Sequence, residues 1–189
     1  MQESSSSSGK ANWVYLNPKI SYGEIIDSRD DQVYKTVKIG SNTWMAENMN
    51  YAVSGSYCMK DSKDNCAKYG RLYTLEVAKT ICPTGWKLPA ISDWEDMYAA
   101  AKAVTIPADS AWAELWSASY YDLGTDKLGF SGVPTSVWDI NRSSKGYIAL
   151  EAAFFWSSTG TNTFELYPHS MYFGYYSPAS RLAVRCIKE

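Results

Sequence analysis

Residues 73–97, YTLEVAKTICPTGWKLPAISDWEDM, constrain the fold most, because two helix-forming runs flank a segment that cannot be helical. In the first run Thr74 is placed to cap, Glu76 falls in the opening turn, and Leu75, Ala78 and Cys82 share one face. Pro83 cannot continue a helix and Gly85 permits a turn, so the run stops there. Trp86, Lys87 and Leu88 then read as a short strand ended by Pro89. Ser92 and Glu95 have capping-box spacing, and Trp94, Met97, Tyr98 and Ala101 recur at i, i+3, i+4 and i+7. The second helix, over 91–104, is therefore expected to bury one face. Together these signals predict a helix–strand–helix wedge with a cysteine at its first corner.

That cysteine is one of four, Cys58, Cys66, Cys82 and Cys186, which allow three pairings. One of them, Cys58–Cys66 with Cys82–Cys186, closes a local loop and a long one. Chain entropy would make these worth about 2.6 and about 4.7 kcal/mol, strain aside. Free buried thiols are a second reading. Zinc is a third and weaker one, since no C-x-x-C occurs and His169, the sole histidine, is distant from every cysteine in sequence. No metal and no cofactor is expected.

The length of 189 residues suits one domain with its own core. A net charge of −2 with no basic run argues against nucleic acid, which needs clustered Lys and Arg. No apolar run approaches the ~18 residues of a membrane span, so no transmembrane segment is expected. The stretch 2–10, QESSSSSGK, is polar and reads as a flexible tether. With the cysteines it suggests an exported bacterial protein, extracellular or on the outer surface, with Met1 standing where a signal peptide and a lipid-anchoring cysteine would be. A disordered cytoplasmic N-terminus is the alternative. Residues 1–22 are assigned to the tether and lead-in, and 23–189 to a single domain.

Downstream of the turn-like 28–31, Val33, Lys35, Val37 and Ile39 alternate with Tyr34, Thr36 and Lys38, a period-two strand. Gly40, Ser41 and Asn42 turn the chain and 43–46 returns, giving a hairpin. Glu47, Asn48, Met49 and Asn50 are read as turn caps rather than as chemistry. Residues 58–66 read as a small polar surface loop. Residues 111–115 predict one helical turn with Trp112 and Trp116 inward. Residues 147–150 and 152–158 read as core strands, and 182–188 as a closing strand with Leu182, Val184 and Cys186 on one face.

Residues 27–51 with YKTVKIGSNTWMAENMNY, 66–94 with CPTGWKLP, 129–134, 155–159 and 181–189 together resemble the Fibrobacter succinogenes major paralogous domain. That family comprises secreted or surface-attached bacterial domains of largely unassigned function. The sequence departs from its pattern at Leu75, where an aromatic is usual, at Lys87, where a His is usual, and at Ala90, where a Ser is usual. Any role of that His is absent here. The helix–cysteine–strand–helix order, with Trp94 opening the second helix, is also similar to the centre of C-type-lectin-like domains. This likeness implies a bond between Cys82 and Cys186. It also sets the 33–39 hairpin beside 182–188. The expected fold is α+β and disulfide-stabilised, with two helices around a twisted, mostly antiparallel sheet. The Glu-Pro-Asn and Trp-Asn-Asp tripeptides of calcium-dependent lectins are absent, so that calcium site is not carried over. Nor is the chemistry of the formylglycine-generating enzyme, whose late cysteine pair has only Cys186 to match it.

Catalysis by a Ser/His/Asp or Cys/His set would have to use His169, in Tyr-Pro-His-Ser, which has no flanking motif. The chain is therefore read as non-enzymatic. Aromatic residues make up 15% of it, and adjacent ones such as Tyr172/Phe173 and Tyr175/Tyr176 cannot all be buried by a one-sided sheet. Tyr and Trp offer broad contact area with a polar tip. Trp44, Trp86, Trp94 and Trp156 are expected in the core. Trp138, Tyr147, Phe164, Tyr167, His169, Tyr172, Tyr175 and Tyr176 are the candidate ligand-binding residues, on a loop face between 147 and 180. The expected function is a surface module that recognises a polysaccharide or a cell-surface protein partner. The alternative is a structural or displayed domain with no small-ligand site.

Overall fold

The computed structural model of the chain describes residues 15–105, 108–117, 119, 122–139, 141, 147–148 and 151–189, with 108–109 and 147–148 described by backbone alone. The Ser-rich stretch 2–10, Tyr120 and Tyr121 lie outside the described residues. The chain enters through β1 (Gly23–Asp27), β2 (Gln32–Ile39) and β3 (Asn42–Met45). Next come β4 (Ser56–Tyr57), a 3-10 turn at Met59–Asp61, α1 (Lys63–Tyr69) and β5 (Leu72–Tyr73). The wedge follows as α2 (Leu75–Ala78), β6 (Trp86–Lys87) and α3 (Ile91–Val104). A 3-10 segment at Ala108–Glu114 leads to β7 (Val137–Trp138), β8 (Tyr147–Ile148), β9 (Ala153–Trp156), β10 (Asn162–Tyr167), β11 (Ser170–Tyr175) and β12 (Ile187–Lys188).

The strands form a five-stranded sheet in the order β1-β2-β3-β12-β6, a three-stranded sheet β11-β10-β9, and the pairs β4-β5 and β7-β8. Every strand pair is antiparallel. Residues 181–188 stitch the sheets together. Arg181 bridges to Trp138, Leu182 to Tyr73, Ala183 to Phe155 and Ile187 to Trp44 and Lys87. Between them, Val184 and Cys186 accept the backbone N–H groups of Met49 and Met45. The fold is α+β and is held by two disulfides, Cys58–Cys66 and Cys82–Cys186, the second with its Cα atoms 5.9 Å apart. The hairpin expected beside the C-terminal strand lies there.

Alternation along the last segment separates two cores. Leu182, Val184 and Cys186 join Tyr34, Tyr73, Phe154 and Trp156 in one cluster. Ala183 and Ile187 join Trp44, Trp94, Phe130, Phe155 and Phe164 in the other. Trp94 sits at the centre of the second cluster, stacked on Phe164 at 4.6 Å and 10°, and 4.7 Å from Trp44.

Several expectations change in detail. Among the described residues there are three α-helices rather than two, because the loop inside Cys58–Cys66 runs into α1, with Cys66 buried on it. The helix after Thr74 is only four residues, and Thr74 makes no side-chain cap bond. In α3, Trp94, Met97 and Ala101 are buried as expected, but the start is not at Ser92. Ala90 stays extended after Pro89, so Ile91 begins the helix, and Asp93 rather than Glu95 turns back to accept the Ala90 N–H at 2.8 Å. Along β2, Tyr34 and Thr36 are buried along with Val37 and Ile39. The strand has a core on each face, which erases a simple in–out period. Trp86 is half-buried rather than in the core. The lead-in is folded from Tyr15 on: Leu16, Ile20 and Tyr22 pack on the Trp94 cluster, and the Tyr15 hydroxyl donates to Glu47.

Candidate functional site

β10 and β11 form a hairpin whose turn carries Pro168 and His169, with Phe164 opposite Phe173, Glu165 opposite Tyr172 and Thr163 opposite Gly174. Side chains alternate across the sheet, so two rows result. Phe164, Leu166, Met171, Phe173 and Tyr175 line the face toward Trp94. Thr163, Glu165, Tyr167, Tyr172 and Gly174 line the other. β10 is flanked by β9 and β11, and its four central residues are buried. β11 is an edge strand, with β10 on one side only among the described residues. Tyr172 is 56% exposed, Phe173 43% and Tyr175 72%, three of the six large apolar or aromatic side chains exposed among the described residues. Tyr172 lies on the Glu165 face and Phe173 and Tyr175 on the other, so the three exposed side chains flank the free edge of β11 from both faces.

A carboxylate sits beside them. Glu165 is 8% exposed, and its oxygens accept the Thr163 hydroxyl at 3.2 Å and the Tyr167 hydroxyl at 2.9 Å. A carboxylate offers about four acceptor positions, so about two remain to receive hydroxyl donors. Gly174 makes the room, since a Cβ there would overlap Glu165 Oε1. The Tyr167 ring is fixed edge-on between Tyr172, at 5.5 Å, and Phe154, at 5.7 Å. The result is an aromatic strand with one oriented acceptor at its margin. Such a surface can stack on the apolar face of a sugar ring and accept its hydroxyls.

The eight residues singled out from the sequence do not share one face. Tyr172 and Tyr175 are exposed on β11, Tyr167 is half-buried beside Glu165, and His169 is exposed at the turn with its ring 5.3 Å from Trp112. Phe164 and Tyr176 are interior and cannot meet a ligand. Phe164 is stacked on Trp94, and Tyr176 packs edge-on against Phe154 at 5.9 Å. Trp138 is half-buried elsewhere, against Arg181, and Tyr147 pairs with it through the backbone only as far as the description reaches. Phe173, named in the sequence as half of a pair that a one-sided sheet cannot bury, stands outside the eight, and neither Glu165 nor Gly174 was singled out from the sequence. The pattern TFELY, an acid between aromatics in a strand, was the available signal for Glu165.

The most perturbed ionisable groups lie far from water. Arg185 is fully buried and donates to Asn48 Oδ1 at 2.6 Å and to the carbonyls of Met45, Phe130 and Ser131. Asp126 accepts both the N–H and the hydroxyl of Ser131 at 2.7 Å. Burial nevertheless pushes its carboxyl up to about 7. Glu47 accepts the Lys35 N–H of β2 at 2.7 Å and Asn48 accepts from Arg185, so these two residues tie distant segments rather than cap a turn. This knot ties 15–22, 45–48, 126–131 and 185 together. Two clefts of about 580 and 550 Å³ flank Cys82 and the Cys58–Cys66 loop, and neither includes a residue of β10 or β11. Among the described residues no three His, Cys, Asp or Glu cluster as metal ligands, and no helix is long and apolar enough to cross a membrane.

The model of the Fibrobacter succinogenes major domain matches residues 37–188. The chain belongs to this family. The matched segment of the Fibrobacter succinogenes major domain contains both disulfides, α3 and the whole aromatic hairpin. It begins inside β2, so Leu16, Tyr22 and Tyr34 precede it although they pack into its core. No curated protein and no solved structure matches the chain.

Proposed function

We propose that this Fibrobacter succinogenes major domain is a non-catalytic binding module on an exported bacterial protein, and that it takes carbohydrate on the aromatic edge strand β11. The observation that carries the reading is the exposure of Tyr172, Phe173 and Tyr175 on one strand, with the Glu165 carboxylate held at its edge by Thr163 and Tyr167. Stacking on a sugar ring uses the tyrosine faces, and the spare carboxylate lone pairs take hydroxyl donors. The proposed architecture is C-type-lectin-like. Supporting it are the Cys82–Cys186 bond, the order α2–β6–α3, and the seating of β12 between β3 and β6. Two disulfides and the Ser-rich N-terminal stretch support export, and a lipid anchor upstream is part of the same proposal.

The test is a screen of the folded protein on a glycan array and on insoluble plant polysaccharides, with Tyr172→Ala and Tyr175→Ala in parallel. Binding that both substitutions abolish is expected. Absence of binding to every glycan, or binding indifferent to both changes, would refute the reading.

A further inference from the structure

Arg181 stands apart from the other described arginines, Arg29, Arg71 and Arg185. Its guanidinium carbon lies 3.4 Å from the centre of the Tyr57 ring and 3.9 Å from that of Trp138. Two rings that close to one planar group cannot share a side, so they occupy its opposite faces. Arg29, Arg71 and Arg185 all spend N–H groups on acceptors, whereas Arg181's side chain makes no hydrogen bond or ion pair among the described residues. None of its nitrogens is both buried and unbonded, and its side chain is half-exposed. The π faces are therefore used and the in-plane donors are not.

The backbone fixes this arrangement. Arg181 exchanges N–H and C=O bonds with Trp138, and the neighbouring Leu182 does the same with Tyr73, whose strand β5 pairs with the strand carrying Tyr57. Three segments of chain thus hold one guanidinium flat with its fork outward. Its rotamer entropy is spent in folding, so an incoming oxyanion need not supply it. A planar fork of five donors matches a planar carboxylate with two parallel bonds. A single arginine in a chain of net charge −2 engages one such group at a time, without the clustered cations that track a charged backbone.

We infer that Arg181, clamped between Tyr57 and Trp138, is a receptor for one carboxylate, that of a uronic acid residue in an acidic polysaccharide. The saccharide part of this assignment rests on the carbohydrate reading above, whereas the carboxylate part rests on the clamp alone. It gives Trp138 a role separate from that of β11.

The test follows the Arg181 Nε–Hε resonance of the full chain during titration with glucuronate, with glucose and inorganic sulfate as controls. A saturable shift with glucuronate and none with glucose is expected. Arg181→Lys and Arg181→Gln lack that resonance, so their titrations are read from the Trp138 indole N–H. Arg181→Lys, which keeps charge but loses the fork, should bind at least about tenfold more weakly. Thermal melts of Arg181→Lys and Arg181→Gln establish that the variants are folded, and the wild-type titration stands even where they are not. No saturable shift, an equal response to glucose or sulfate, or Arg181→Lys and Arg181→Gln binding as wild type would overturn the site. Polysaccharide binding that depends on Tyr172 but ignores both uronate content and Arg181 would also overturn it while leaving the proposed function intact. A glucuronate shift at Arg181 in a protein with no Tyr172-dependent glycan binding would support the clamp and remove the β11 reading.

Discussion

β10 and β11 are adjacent strands of one hairpin, six residues each and both rich in aromatics, yet one is interior and the other faces water. Phe164 and Phe173 sit directly opposite each other in the register, with ring centres 5.9 Å apart. The first is fully buried and the second 43% exposed. Position decides the difference, because β10 has a strand on each side while β11 has one on its inner side only. Burial accounts for the aromatics of β10. It does not account for Tyr172 and Tyr175, and an edge strand usually carries charge or proline to discourage pairing with other chains. The contrast separates residues that the core requires from residues that burial does not explain.

Four measurements sharpen or break this contrast. The largest effect belongs to Phe164→Ala, which empties the ring position stacked on Trp94 and is expected to cost about 3–5 kcal/mol by urea denaturation. A loss below about 1 kcal/mol would mean that β10 is not core.

Next comes pH. The Asp126 carboxyl lies at about 7 in the folded protein against 3.8 for the free side chain, so folding takes up a proton between those values. Stability should therefore be greatest near pH 4 and fall on the order of a few kcal/mol as pH rises to about 7. Asp126→Asn should flatten that slope, and neither Tyr172→Ala nor Tyr175→Ala should change it. A slope that the β11 substitutions alter would tie the edge strand to the interior.

Gly174→Ala is intermediate. The new methyl displaces the Glu165 carboxylate from Thr163 and Tyr167, at a cost of about 1–3 kcal/mol, and glycan binding should fall with it. Unchanged binding would take Glu165 out of the site. The smallest stability effect is that of Tyr172→Ala, within about 0.5 kcal/mol, as for an exposed side chain.

Much of the architecture was legible in the sequence, because local chemistry fixes it. Gly40 takes φ = +60° in the β2–β3 turn and Gly85 takes φ = +80° in the turn before β6, although the first helical run already ends at Ala78. Trp94, Met97 and Ala101 hold helical spacing. The candidate site was only half legible. Periodicity says which side chains share a face but not whether that face is covered, and Phe164 and Tyr175 lie on the same face with opposite fates. The Arg185–Asp126 knot was invisible for a related reason, since it joins residues separated by 59 positions of unrelated local pattern. Ser92 misled because the helix start was set by the extended backbone after Pro89, which puts Asp93 at the third helical position.

The central claim is tested most directly by measuring polysaccharide affinity and unfolding free energy on the same Tyr172→Ala protein. A folded variant with stability near wild type and binding lost is the predicted result. A variant that binds as wild type does, or one that loses binding only because it unfolds, would contradict the assignment of β11 as the contact strand.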